Sequence, residues 1–182
     1  MMICGIDEVG RGCIFGPVLS AAVIFKGKPN FLNELDDSKK LNKSKREYLS
    51  SLILANSYYE FAKISNEIID KINIHQASLL AMKIAYEKLN IECNLVLVDG
   101  KFIPKIKAKK IQAIIKGDSL INEIKAASII AKVQRDKLMD EYDKIYPLYA
   151  LKKNKGYPTK EHKEAIKKYG ISNLHRKSFK LI

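Results

Sequence analysis

Three short apolar runs in this chain each break off at an acidic residue beside a glycine-containing turn. Ile3-Cys4-Gly5-Ile6 stops at Asp7-Glu8, Asn94-Leu95-Val96-Leu97-Val98 at Asp99-Gly100, and Ile111 to Ile115 at Lys116-Gly117-Asp118. Continuous apolar runs this short suit buried strands better than helices, which need about ten residues or more. Strand ends are where open α/β sheets assemble their sites. The pattern therefore constrains the fold and singles out Asp7, Glu8, Asp99 and Asp118.

The intervening segments fill in a mixed sheet covered by helices. Gly10, Gly12 and Gly16-Pro17 turn the chain into a second strand, Val18 to Phe25, and Tyr58 to Ile64 alternates well enough for a third. Ser44-Lys45-Arg46-Glu47 reads as a capping box ahead of Leu49, Leu52 and Ile53 at helical spacing. His75 to Leu89 carries Leu79, Met82 and Tyr86 on one helical face. The longest helical stretch runs from about Leu120 to Lys144, with Ile121, Ile124, Ser128, Ala131 and Arg135 in line. Its Ala126-Ala127-Ser128 permits close packing on a sheet. From Lys152 the chain turns basic and polar, with a turn at Gly156-Tyr157-Pro158 and a helix from Thr159 closed by Gly170. Residues 1–182 are expected to form one domain, in which 146–182 is a small C-terminal helical appendage.

The charge balance, 33 Lys and Arg against 20 Asp and Glu, leaves +13 at pH 7 and favours a polyanionic partner, nucleic acid first. The acids at Asp7-Glu8 leave no room for a signal peptide or membrane span at the N-terminus, so a cytoplasmic protein with no membrane partner is expected. Cys4, Cys13 and Cys93 form no Cys-x-x-Cys pair, which excludes a zinc or disulfide framework and leaves them as core residues. No phosphate loop, nucleophile elbow, dinucleotide fingerprint or His-Glu-x-x-His motif is present.

Four ionised carboxylates gathered together repel one another unless some are protonated or cations sit among them. Oxygen donors without His or Cys suit Mg²⁺ or Mn²⁺. Neighbouring strand residues point to opposite faces, so Asp7 and Glu8 are expected to share a site only if Glu8 is already turning, which Gly10 makes feasible. Taken singly, an acid such as Asp99 before Gly100 reads as a turn carboxylate.

The chain as a whole resembles ribonuclease HII. The resemblance is carried in order by Gly5-Ile6-Asp7-Glu8-Val9-Gly10-Arg11-Gly12, Asp37-Ser38-Lys39-Lys40-Leu41, Val98-Asp99-Gly100, Lys116-Gly117-Asp118-Ser119, Ala126 to Val133 with Arg135-Asp136, Lys155-Gly156-Tyr157-Pro158-Thr159, and His175-Arg176-Lys177-Ser178-Phe179. It implies a ribonuclease H-like fold with Asp7, Glu8, Asp99 and Asp118 as catalytic metal ligands for two divalent ions, Mn²⁺ or Mg²⁺. The implied reaction cuts the RNA strand of RNA-DNA hybrids and nicks duplex DNA 5′ of an embedded ribonucleotide, leaving 3′-hydroxyl and 5′-phosphate ends. In that family Gly10-Arg11-Gly12 would recognise the ribonucleotide at the junction and Tyr157 would pack on the next deoxyribose.

Phosphate contacts are assigned to Ser38, Lys39 and Lys40, the run Lys101, Lys105, Lys107, Lys109 and Lys110, and His175 with Arg176. Lys132 and Asp136 are read as a helix-surface pair, and Ser128 as a packing residue. Lys125 departs from the small residue usual in the family, and few residues come after Phe179. The sister family ribonuclease HIII usually has Thr where Arg11 stands. A nucleic-acid-binding module without catalysis is the alternative from another class, and the four acids argue against it. A monomer is expected; a sliding clamp partner is not readable from the residues.

Overall fold

The computed structural model describes residues 1–182. In chain order the elements are strands β1 (Ile3–Val9) and β2 (Val18–Phe25), helix α1 (Lys43–Ala55), β3 (Ser57–Ile64), α2 (Asn66–Leu89), β4 (Leu95–Asp99) and β5 (Ile111–Ile114). The short helix α3 (Gly117–Leu120), the long α4 (Asn122–Ile145), a single turn α5 (Leu151–Asn154) and α6 (Lys160–Tyr169) complete the chain. The sheet runs β3-β2-β1-β4-β5. Pairings β1–β2 and β2–β3 are antiparallel, and β1–β4 and β4–β5 are parallel. This is the mixed, helix-flanked sheet expected from the sequence.

Both faces are covered, which explains why β2 is apolar apart from Ser20 and buried along nearly its whole length. Leu19, Ala21 and Val23 point to one face, against Leu49 and Ile53 of α1 and Ala126 to Ala131 of α4. Ala22 and Ile24 point to the other, joining Cys4, Ile6, Val96 and Val98 beneath Met82, Ala85 and Tyr86 of α2. Sheet and helix approach closely at Gly5, where an added Cβ would stand 2.1 Å from the Glu123 carbonyl carbon. The start of α4 is thereby pressed onto β1, directly behind Asp7.

Several boundaries differ from the sequence expectation. Asn42, not Ser44, caps α1, its side chain accepting from the Lys45 amide at 2.8 Å. Helix α2 starts at Asn66, capped by Ser65, and is broken at Asn73 (φ 66°). Asn73 then caps the second half through Gln76 N–H at 3.0 Å. The expected helix from His75 is therefore the second of two helical pieces. Asp118 does not continue a strand: Lys116 takes a left-handed conformation (φ 57°) and places it in α3.

Residues 171–182 form no helix or strand; they run through two turns and are strapped to the β1–β2 loop. Phe15 bridges His175, Arg176 N–H donates to Ile14 O at 2.9 Å, and Gly16 N–H donates to Leu174 O at 2.9 Å. Asp70 of α2 accepts from the Lys177 and Ser178 amides. No helix is long and apolar enough to cross a membrane.

Candidate active site

An open cleft of about 220 Å³ lies at the carboxyl ends of β1 and β4. Ten of the residues assigned to a site from the sequence line it: Asp7, Glu8, Gly10, Arg11, Gly12, Ser38, Lys39, Asp99, Asp118 and Tyr157. The topology explains the convergence of the acids. In the parallel β1–β4 pair the last register partners are Ile6 and Val98, so Asp7 and Asp99 come next on adjacent strands. Asp118 is delivered by α3, whose backbone N–H donates to Asp99 Oδ1 at 3.2 Å.

Glu8 does not leave the strand, contrary to the condition set by strand pleating. It pairs with Ser20 inside β1, and its carboxylate still lines the same cleft as Asp7. The β4 side of β1 is unpaired beyond Ile6, so the longer Glu side chain has room to reach the cleft. Asp7 Oδ1 accepts from Glu8 N–H at 2.7 Å. Arg11 approaches Glu8 Oε1 at 3.4 Å, while Glu8 Oε2 is buried with no partner.

Burial, then the Glu8 and Asp99 charges, hold the Asp7 carboxyl well above the usual carboxylate range. Glu8 is raised by burial against the pull of Arg11. Asp99 is raised by burial, opposed by the Asp118 amide and reinforced by the Asp118 charge. This is the electrostatic state of a carboxylate group short of positive charge. The donor set is all oxygen and one oxygen is unsatisfied, as a hard divalent cation requires. No three side chains converge on a single point at ligand distance. The acids line a cleft rather than close a cage, which suits cations that retain water and take phosphate oxygens.

Lys39 is exposed and sits 3.5 Å from Asp118 Oδ2. Although burial works against it, the Asp118 and Asp37 charges hold its ammonium above the ordinary lysine value. Ser38 is buried and shares a 3.0 Å hydrogen bond with Ser128 Oγ. Ser128, read from the sequence as packing, is thus part of the cleft wall. Lys132 also lines it, 5.9 Å above the Tyr157 ring, while donating to Asp136 at 2.8 Å. Helical spacing identified that pair but not what lies opposite it. Arg46 of α1 donates to Ser38 O and Leu41 O, at 2.7 and 2.9 Å, and anchors the loop carrying Ser38 and Lys39.

The two glycines of Gly10-Arg11-Gly12 differ. A Cβ on Gly10 (φ +91°) would lie 2.2 Å from Arg135 Nε, so this glycine makes room for a buried guanidinium. A Cβ on Gly12 would meet only Tyr157 Cε1, in ordinary contact at 3.9 Å, so it would fit without a clash. The Arg11 and Gly12 amides donate to no other group in the protein.

His175 and Arg176, expected at backbone phosphate, are fully buried. Arg176 donates to Gly16 O at 2.9 Å and Arg11 O at 3.1 Å, and His175 faces His162. Their charge type suggested an anion, but the strap that carries them packs them inward. Lys40 turns to Asp36 at 3.5 Å, and the lysines of 101–110 lie on the β4–β5 connection, outside the cleft lining.

The family model for ribonuclease HII matches residues 4–182. A ribonuclease HII from Borrelia hermsii is 90% identical over 181 residues, covering 100% of both chains. Ribonuclease HII from Archaeoglobus fulgidus, solved in complex with PCNA, superposes with a TM-score of 0.80 at 25% identity, covering 99% of this chain and 96% of that one. Bst-RNase HIII, solved in complex with Mn²⁺, matches in fold with a TM-score of 0.81 at 18% identity, covering 100% of this chain and 68% of that one.

Proposed function

The chain belongs to the ribonuclease HII family, enzymes that cut the RNA strand of RNA-DNA hybrids, and on that premise we propose that it also nicks duplex DNA on the 5′ side of an embedded ribonucleotide. The observation that carries the proposal is the convergence of four carboxylates from β1, β4 and α3 with Gly12, Arg11 and Tyr157 on one cleft. Two divalent cations, Mn²⁺ or Mg²⁺, would supply an activated water and stabilisation of the departing 3′-oxygen. The Mn²⁺ bound by the HIII relative supports that choice of ion.

The chain's own residues divide the remaining work. Asp7 and Asp99, on adjacent strands, would be the central ligands, and Glu8 and Asp118 would complete the set from either side. Lys39, drawn toward Asp118, and Arg11, drawn toward Glu8, place positive charge at two edges of the cleft, where the flanking phosphates would lie. Gly12 lets the backbone approach a sugar without a Cβ in the way, and its free amide is a donor for the 2′-hydroxyl, the group that distinguishes ribose from deoxyribose. Tyr157, 39% exposed, offers its ring to the next deoxyribose. The lysines of 101–110 extend the positive surface beyond the cleft and hold the duplex without reading sequence. The PCNA-bound relative supports a sliding clamp as a further partner.

The test is cleavage of a duplex with one ribonucleotide, beside a uniform RNA-DNA hybrid, in Mg²⁺ and in Mn²⁺. A single nick 5′ of the ribonucleotide with a 3′-hydroxyl end is expected. Cutting of the hybrid alone would remove the junction reading, and intact substrates throughout would remove the catalytic one.

A further inference from the structure

His162 and His175 are both fully buried, although neither lines the cleft. Their Nε2 atoms face each other at 3.1 Å. The outer nitrogens meet main-chain groups whose roles are fixed. Ser172 N–H can only donate, and it lies 2.9 Å from His175 Nδ1. Tyr157 C=O can only accept, and it lies 2.9 Å from His162 Nδ1. With both ends fixed, only one arrangement of protons satisfies every contact. His175 accepts at Nδ1 and carries its proton on Nε2. His162 accepts that proton's hydrogen bond at Nε2 and donates from Nδ1.

From this chain of donors we infer that His162 and His175 are positioning residues that fix the Tyr157 carbonyl, and with it the ring, against the wall of the cleft. The inference rests on the substrate role of Tyr157 proposed above. Tyr157 sits where the backbone needs outside help. Lys155 and Gly156 before it both have positive φ, 53° and 84°, and Pro158 after it supplies no N–H. The Tyr157 carbonyl accepts twice, from Thr159 N–H at 2.8 Å and from His162, so both lone pairs are used.

The imidazoles are themselves held rigidly. Phe15 meets His175 edge-on, with centroids 5.0 Å apart at 88°, and Tyr149 meets it at 4.8 Å and 70°. His175 belongs to the strap bridged to Phe15, so the relay connects the C-terminal segment through α6 to the cleft. Apolar side chains could fill the same space but could not direct a hydrogen bond at residue 157. Burial lowers both imidazoles, His175 to about 4 with help from the facing His162, so the pair is neutral at physiological pH, as the proton arrangement requires.

Asn at position 162 places an amide donor where His Nδ1 stands, whereas Gln reaches toward Nε2. His162→Asn should therefore keep the Tyr157 contact and His162→Gln should lose it, with both losing part of the core packing. The readout is the rate ratio for a single embedded ribonucleotide over a uniform hybrid. One lost buried hydrogen bond is worth about a factor of ten. His162→Gln should thus lower the ratio by roughly tenfold, toward the value of Tyr157→Ala, while His162→Asn stays within about threefold of the parent. Equal ratios for the two variants would reduce the pair to packing and overturn the inference. An unchanged ratio in Tyr157→Ala would refute the substrate role of Tyr157 instead. If neither variant folds, imidazole ¹⁵N shifts of the parent protein decide: Nδ1–H on His162 with Nε2–H on His175 is expected, and any other tautomer pair, or a charged ring at pH 7, overturns it.

Discussion

Alanine at Gly10 and alanine at Gly12 should fail in opposite ways. At Gly10 the new methyl carbon would lie 2.2 Å from Arg135 Nε and 2.9 Å from its Cδ and Cζ, on a backbone with φ +91°. Left-handed backbone costs a non-glycine residue about 1–2 kcal/mol. Arg135 has nowhere to retreat, because it is fully buried and donates to Lys155 O at 2.6 Å and Phe15 O at 3.1 Å. Hydrogen bonds from a charged donor are worth about 1.5–3 kcal/mol each. Losing one outright and straining the other, less about 0.5 kcal/mol of unfolded-state entropy, gives a net loss of about 4 kcal/mol. For a chain of this length that corresponds to roughly 8–16 °C in melting temperature. At Gly12, with ordinary φ and nothing nearer than 3.9 Å, the folding cost should stay under about 1 kcal/mol. The methyl would instead occupy the wall against which the ribose approaches, and nicking at an embedded ribonucleotide should fall by at least about tenfold. Thermal melts and nicking rates on the two variants separate these outcomes. A Gly10→Ala protein melting within 2 °C of the parent, at about 1 kcal/mol or less, would refute the assignment of that glycine to Arg135. A Gly12→Ala protein nicking at the parental rate would refute the open wall.

Asp99→Asn keeps an oxygen for the Asp118 amide but removes one charge from the cation-binding set, so cutting should drop by about a thousandfold while duplex binding by gel shift persists. Its metal-free form should be no less stable than the parent, because it also removes a charge that raises Asp7. Arg11→Ala should weaken the single-ribonucleotide substrate more than the uniform hybrid, and equal losses in kcat/KM would count against a reading role. The buried histidines predict a pH effect whose sign is set by their lowered values. His175 titrates near 4 when folded and near 6.5 when unfolded, so below 6.5 the unfolded chain takes up the proton first. Stability from this site is complete above pH 6.5 and is lost as pH falls toward 4, by up to about 3 kcal/mol. Urea melts at pH 7 and pH 4.5 should show a steeper decline for the parent than for His175→Gln, and parallel declines would disprove the linkage.

The acids were legible in the sequence because a buried parallel strand cannot hide its end: the apolar run stops, and the next residue stands at the edge of the sheet. That rule marked Asp7 and Asp99, although Asp99 before Gly100, taken singly, reads as a turn carboxylate and was assigned with the family resemblance. Asp118 lies on a turn of helix rather than a strand end, and the Gly before it marked the place without revealing the geometry. The split of α2 was obscured because Asn73, which breaks the first piece, also caps the second. The largest misreading concerned charge. His175 and Arg176 looked like anion ligands, and Arg135 like one more position on a helix face, because a guanidinium held by main-chain carbonyls, with Arg135 Nε and Arg176 Nη2 left unpartnered, has no complementary acid in the sequence.

Those buried guanidiniums also account for how the loop presents itself to the cleft. Arg176 holds Arg11 O at 3.1 Å and Gly16 O at 2.9 Å, and Arg135 holds Phe15 O and Lys155 O. The chain has no cis peptide bonds, and in a trans peptide the carbonyl and the following N–H point in opposite directions. With Arg11 O drawn inward to Arg176, the Gly12 N–H must point away from it. The donor proposed for a 2′-hydroxyl is thus oriented by a residue 165 positions further along the chain. Some of the +13 charge therefore acts from inside the protein, turning loop carbonyls away from the cleft, rather than by attracting the nucleic acid at the surface.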